Sequence, residues 1–142
     1  MSRPTEQKTE VPTVDHIGVV VPDLNAATAL FSKLFGGGPS ITKELSDVGL
    51  RIAEFQAANV TVELLQYTGE NDAFAKSVMG DETGVNHISL RVGALGPATA
   101  AVEAAGARTM KGFPRRGAHG QVVFFEPAST GGIRLELCEP DE

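Results

Sequence analysis

Cysteine occurs once in these 142 residues, at Cys138, so no disulfide can form within the chain. A lone thiol in an apparent strand reads as a small packed side chain rather than a nucleophile, and it fits a reducing, cytoplasmic setting. Long apolar runs are missing too. The longest, around Ile17 to Val21, is strand-sized and stops at Pro22, so no membrane span is expected. Positive charge is scarce: the net charge is −6 and the only basic pair is Arg115-Arg116, which argues against a nucleic-acid or anionic-membrane partner. Residues 1–12 are polar and lack the apolar stretch of a secretory signal; they are read as a disordered tail. Residues 13–142 then have the length of one domain with one core.

What is present is a repeat. Asp15-His16-Ile17-Gly18-Val19-Val20-Val21 is matched by Asn86-His87-Ile88-Ser89-Leu90-Arg91-Val92. A helical pattern follows each. The first runs from Asp23, a plausible N-cap, to Phe35, with Leu24, Ala27, Leu30, Phe31 and Leu34 on one stripe and Gly36 as a stop. The second covers about 96–105, with Pro97 in its first turn and Gly106 at its end. Each half closes on another matched strand, Val60 to Leu65 and Gly132 to Leu137. Further strands fit at 41–45 and 50–57 in the first half, and at 109–111 and 121–126 in the second. The expected fold is therefore α+β: two paired βαβββ modules, about 13–67 and 84–139, joined by a short linker helix at about 70–80. Together they form a curved mixed sheet, a cup with helices on its outside.

Side chains alternate across a strand, and this sorts the polar residues. Ile17, Val19 and Val21 face the helix, so His16 faces away. Ile88, Leu90 and Val92 do the same for His87, Val62 and Leu64 for Glu63, and Ile133, Leu135 and Leu137 for Glu136. The histidines lie 71 residues apart and the glutamates 73, so the four are repeat-related and converge in the cup. One strand histidine or glutamate alone is ordinarily surface or satisfied core. Four with the same facing argue for one divalent ion, with zinc, cobalt, nickel, manganese and ferrous iron all compatible with mixed N/O ligands.

The repeat and this donor set resemble the vicinal oxygen chelate superfamily, which includes glyoxalase I, extradiol dioxygenases and methylmalonyl-CoA epimerase. The resemblance runs from Val14 to Glu139 and is closest to the epimerases, through Asp15-His16-Ile17-Gly18, Val62-Glu63-Leu64-Leu65, Asn86-His87-Ile88, Gly117-Ala118-His119-Gly120 and Ser129-Thr130-Gly131-Gly132. It implies metal ligation by His16, Glu63, His87 and Glu136, a homodimer, and an acyl-CoA thioester substrate. The implied reaction is epimerisation by loss of the proton next to the thioester carbonyl, with Glu136 as one acid/base.

Several positions depart from the epimerase pattern. Ile52 stands where some epimerases carry the second glutamate; Glu54, two residues on and on the same face, is the candidate base in its place. Glu126-Pro127-Ala128 replaces the usual His-Pro-Lys. Arg134 replaces an aliphatic residue and by alternation faces the cup, either to bind a substrate carboxylate or to pair with a glutamate. Loop 113–120 carries Arg115, a candidate for CoA phosphates, with Arg116 and His119, which taken singly read as solvated. Two other functions stay open: a glyoxalase I-like lyase or another isomerase of the superfamily, using the same donors, and a non-enzymatic protein that sequesters small molecules in the cup.

Overall fold

The computed structural model describes residues 11–142; the tail expected over 1–12 falls outside these but for Val11 and Pro12. The first half contains β1 (Thr13–Val20), α1 (Leu24–Phe35), β2 (Ile41–Leu45), β3 (Leu50–Gln56) and β4 (Thr61–Tyr67). After α2 (Ala73–Met79) the second half repeats the order with β5 (Gly84–Arg91), α3 (Leu95–Ala104), β6 (Arg115–Arg116), β7 (Gly120–Phe124) and β8 (Leu135–Pro140). One eight-stranded sheet results, in the order β2-β3-β4-β1-β5-β8-β7-β6. It is palindromic with respect to the repeat. β1 pairs parallel with β4 and β5 parallel with β8, and the halves join where β1 meets β5 antiparallel.

The turn chemistry explains the helix limits. Asp23 caps α1 by accepting from the Ala26 amide, and Gly36 ends it at φ 72°, a conformation that suits glycine. Behind the first half, Leu24, Ala27 and Phe31 pack on Ala53, Phe55 and Leu64; behind the second, Leu95, Ala98 and Val102 pack on Val123, Phe125 and Leu137. Period-two alternation leaves Ile52, Glu54, Leu65, Val122 and Phe124 for the concave side. The predicted stripe on α1 is wider than the face that packs: Leu30 and Leu34 are 57% and 69% exposed, because one sheet reaches only a narrow arc of the helix. Ile133 is also exposed, lying before the start of β8.

Two elements differ from the sequence expectation in ways that shape the cup. The strand expected at 109–111 reduces to a single bridge, Thr109 to Phe125, and the outermost strand is instead the two-residue β6 inside the loop. The linker helix is more than a connection. Ala75, Val78 and Met79 of α2 are buried against Leu50, Ile52, Leu65 and Phe124, so α2 closes one end of the concave side while α1 and α3 cover the back.

The join between halves sets the histidines. Across β1 and β5, Gly18 lies opposite His87 and Ser89 opposite His16, so each imidazole sits over the small residue of the other strand. A Cβ at Gly18 would come within 2.1 Å of the His87 ring. Gly18→Ala is therefore expected to push His87 aside. The expected outcome is a loss of about 1–3 kcal/mol in denaturant unfolding and at least about a tenfold loss of divalent-metal affinity; unchanged affinity would show that the ring does not need this floor.

Candidate active site

His16, Glu63, His87 and Glu136 are all buried, and all project from the concave face near the join. The donor atoms of His16, Glu63 and His87 lie within 4.8 Å of one another. Glu136 Oε1 is 3.1 Å from His16 Nε2 and 4.0 Å from His87 Nε2, and His16 Nε2 is 3.7 Å from Glu63 Oε1. Glu136 Oε1 is wholly buried yet has no hydrogen bond of good geometry. A buried oxygen left without a donor, between two imidazole nitrogens and beside a second carboxylate, fits a divalent cation.

The residue before each histidine fixes its ring. Asp15 Oδ2 lies 2.9 Å from His16 Nδ1, and Asn86 Oδ1 lies 2.8 Å from His87 Nδ1. Both oxygens accept, so Nδ1–H donates and Nε2 is the nitrogen turned toward the cup. Asp15 is itself held by Arg91, whose Nε and Nη2 approach Asp15 Oδ1 at 3.0 and 2.9 Å. Asn86 is held through α2: its Nδ2 donates to the Met79 carbonyl at 2.8 Å. The neighbouring carbonyls of Val78 and Gly80 accept from Arg134 and from the Tyr67 hydroxyl. Three side chains thus satisfy carbonyls at the end of α2 that the helix cannot, and one of them aims His87.

Arg134 is accordingly engaged elsewhere than the sequence alternation implied. Its Nε donates to Val78 O at 3.0 Å and its Nη1 to Asn86 O at 3.4 Å, and it pairs with no carboxylate among the described residues. Alternation does not reach back to it, since β8 starts one residue later.

The four side chains set one another's charge. Burial works against a charge on His16, but the Asp15 hydrogen bond, Glu136 and Glu63 outweigh it and hold the imidazole protonated up to about 11. Burial pushes Glu63 up to about 7, tempered by His16 and reinforced by the neighbouring carboxylates. Burial also drives His87 down to about 4, so its ring is neutral. Although burial opposes ionisation of Glu136, His16 and His87 draw its carboxyl below the usual range.

Around these donors lies a cavity of about 110 Å³ that opens to solvent, lined mostly by apolar side chains including Ile52, Leu65, Met79 and Phe124. Arg115 stands at its edge with its guanidinium 4.3 Å from the centre of the Phe74 ring. Glu54 is buried on β3, opposite Glu63 of β4 in register, and its Oε2 is 2.5 Å from Nε2 of His119. Taken singly, His119 reads from the sequence as a solvated loop histidine, whereas the loop carries it across the cup to Glu54 of the first half. Lys43 of β2 makes a second link by donating to the Ala118 carbonyl. Arg116 is exposed and paired with Asp141.

The family model for the Glyoxalase/Bleomycin resistance protein/Dioxygenase superfamily matches residues 15–125. The chain is 31% identical over 127 residues to an ethylmalonyl-CoA/methylmalonyl-CoA epimerase of Cereibacter sphaeroides, a span covering 87% of this chain and 95% of that protein. It is 27% identical over 142 residues to the mitochondrial methylmalonyl-CoA epimerase of Homo sapiens, covering 96% and 81%. Among solved structures, methylmalonyl-CoA epimerase of Streptomyces coelicolor in complex with 2-nitronate-propionyl-CoA superimposes with a TM-score of 0.77 at 25% identity, over 92% of this chain and 96% of that one.

The charges give a pH dependence with a definite sign. Without metal His16 keeps its proton up to about 11 and Glu63 up to about 7, while His87 is already neutral. Loading a divalent ion at pH 7 is expected to release about one to two protons. The slope of log affinity against pH should be about one above pH 7 and steepen toward two below it. Calorimetric titration in buffers of different ionisation enthalpy measures the release, and metal uptake without proton release would contradict this charge arrangement.

Proposed function

The chain belongs to the glyoxalase/bleomycin resistance/dioxygenase superfamily, and from that premise we propose that it is a metal-dependent epimerase acting on a 2-substituted malonyl thioester, with methylmalonyl-CoA the first substrate to test. The observation that carries this reading is the buried set His16, Glu63, His87 and Glu136 with a second acid/base unit, Glu54 of the first half joined to His119 of the second. The similarity to the Cereibacter epimerase supports it independently.

A divalent ion held by His16, Glu63, His87 and Glu136 would draw in the thioester and carboxylate oxygens and make the carbon between them more acidic. The donor set suits zinc, cobalt, nickel, manganese or ferrous iron, and elemental analysis of the purified protein distinguishes them. The rest is done by the chain. Asp15 and Asn86 keep both imidazoles in one tautomer. Ile52, Leu65, Met79 and Phe124 exclude water from the reacting carbon, which strengthens each polar contact there. Glu136 serves one face of that carbon, and the Glu54–His119 pair the other, as inversion requires. Arg115, at the rim, is suited to an anionic group of the carrier.

A second copy of the chain completes the proposal. α1 lies over β3 and β4 and α3 over β7 and β8, so the back of the two central strands has little cover. There Val14, Val85 and Ile88 are exposed, with Val85 at 77%. An uncovered apolar strip between two helices suits an isologous dimer. Light scattering is expected to give a dimer for the wild type and a monomer for Val85→Asp combined with Ile88→Asp; a monomeric wild type refutes it.

The catalytic reading is tested with racemic methylmalonyl-CoA in deuterium oxide. Deuterium uptake at the α-carbon should be lost on chelation, recover with added metal, and fall at least about a hundredfold in Glu136→Gln. Fully metallated protein that exchanges no α-proton would rule this substrate class out.

A further inference from the structure

We infer that the group meeting the α-carbon on the face opposite Glu136 is the imidazole of His119, with Glu54 behind it as a positioning residue. This rests on the epimerase reading and assigns parts within it.

On β3, Leu50, Ile52 and Glu54 project to the concave side, and the last two lie nearest the donors. Ile52 borders the cavity that holds the four donors, is 2% exposed, and has no proton to move. Glu54, farther along, does not border that cavity; it borders an adjoining polar groove with Lys43, Arg116 and Asp141. His119 borders both. Of the pair, His119 is therefore the member that reaches the cavity holding the four donors.

The hydrogen bond sets its chemistry. Glu54 Oε2 accepts from Nε2–H of His119, which leaves Nδ1 as the nitrogen with a free lone pair. A buried carboxylate facing Glu63 across the strand pair gains from a partner that becomes positive as it takes a proton. This is the carboxylate–imidazole arrangement in which the carboxylate holds tautomer and orientation and the imidazole exchanges protons. The His119 side chain is 36% exposed, so a proton it collects has a path to water.

The loop is held rather than free. The Asp141 amide donates to the His119 carbonyl at 2.8 Å, the Gly117 amide to the Gly120 carbonyl at 2.7 Å, and Lys43 to the Ala118 carbonyl. A Cβ at Gly120 would lie 2.2 Å from the Glu139 carbonyl, so glycine is what lets the loop press against β8. In the step, the α C–H bond breaks and an N–H bond forms at His119 Nδ1, the electron pair passing to the thioester oxygen as an enolate. A water proton then reaches the other face through Glu136, whose carboxylate relays it as the new C–H bond forms and ends ionised as it began. His119 returns its extra proton to the hydroxide left behind, so atoms and charge balance.

Metal-loaded wild type, His119→Asn and Glu54→Gln are given each pure enantiomer of methylmalonyl-CoA in deuterium oxide. His119→Asn should lose exchange at least about a hundredfold with one enantiomer and keep it near the wild-type rate with the other, whose proton goes to Glu136. Glu54→Gln should lower kcat for the first enantiomer by a smaller factor with KM unchanged. His119→Asn exchanging both enantiomers at the wild-type rate, with Glu54→Gln losing one, would make Glu54 the base and overturn the inference. A wild type that exchanges neither removes the epimerase reading and the base role together. Nitrogen NMR of the three histidines separates the cases without substrate: His119 should show a bonded Nε2–H and a bare Nδ1, a bias lost in Glu54→Gln, and a spectrum indifferent to Glu54 refutes the dyad.

Discussion

Two carboxylates and two imidazoles are buried within a few ångströms of each other, and the surrounding structure is built to make that tolerable. Removing a carboxylate from water is costly unless charge and hydrogen bonds compensate it. Here the compensation is layered. His16 lies between Glu136 and Asp15, Asp15 is held by Arg91, and His87 is fixed by Asn86. Gly18 and Ser89 are small because an imidazole must lie over each. The burial of Glu63, together with its carboxylate neighbours, raises its affinity for a proton and by the same physics for a cation.

The two halves agree where they build the floor of the cup and diverge at its ends. β2 has five residues and β6 only two. A full-length β6 would carry its chain along the sheet edge; the short one leaves 117–120 free to reach β2 and β3 of the other half. Duplicated modules alone would give a symmetric basin. The shortened strand gives it a wall, and that wall brings an imidazole and a carboxylate together across the cup.

The floor was legible in the sequence because alternation and repetition are local properties. His16, Glu63, His87 and Glu136 share a facing dictated by the apolar residues next to them, and the repeat doubles that signal. Alternation fails once the strand ends, which is why Arg134 and Ile133, both ahead of β8, are not where it would put them. Apolar periodicity overstates burial where a helix meets only one sheet, as Leu30 and Leu34 show. The contact of His119 with Glu54 depends on how far the sheet curls, a sum of small twists over eight strands that no window of sequence contains.

The end of α2 shows how the cup cover and the four buried side chains are joined. Helices leave their last carbonyls unpaired, and those of Val78, Met79 and Gly80 accept from Arg134, Asn86 and Tyr67. Asn86 cannot turn away from Met79 without withdrawing its oxygen from His87, so the docking of α2 and the aim of His87 Nε2 are one constraint. Arg134 strengthens it by donating to the main-chain carbonyl of Asn86 as well as to α2. The arginine therefore bears on the aim of the His87 ring without entering the cavity. It holds the cover in place, and the cover holds Asn86.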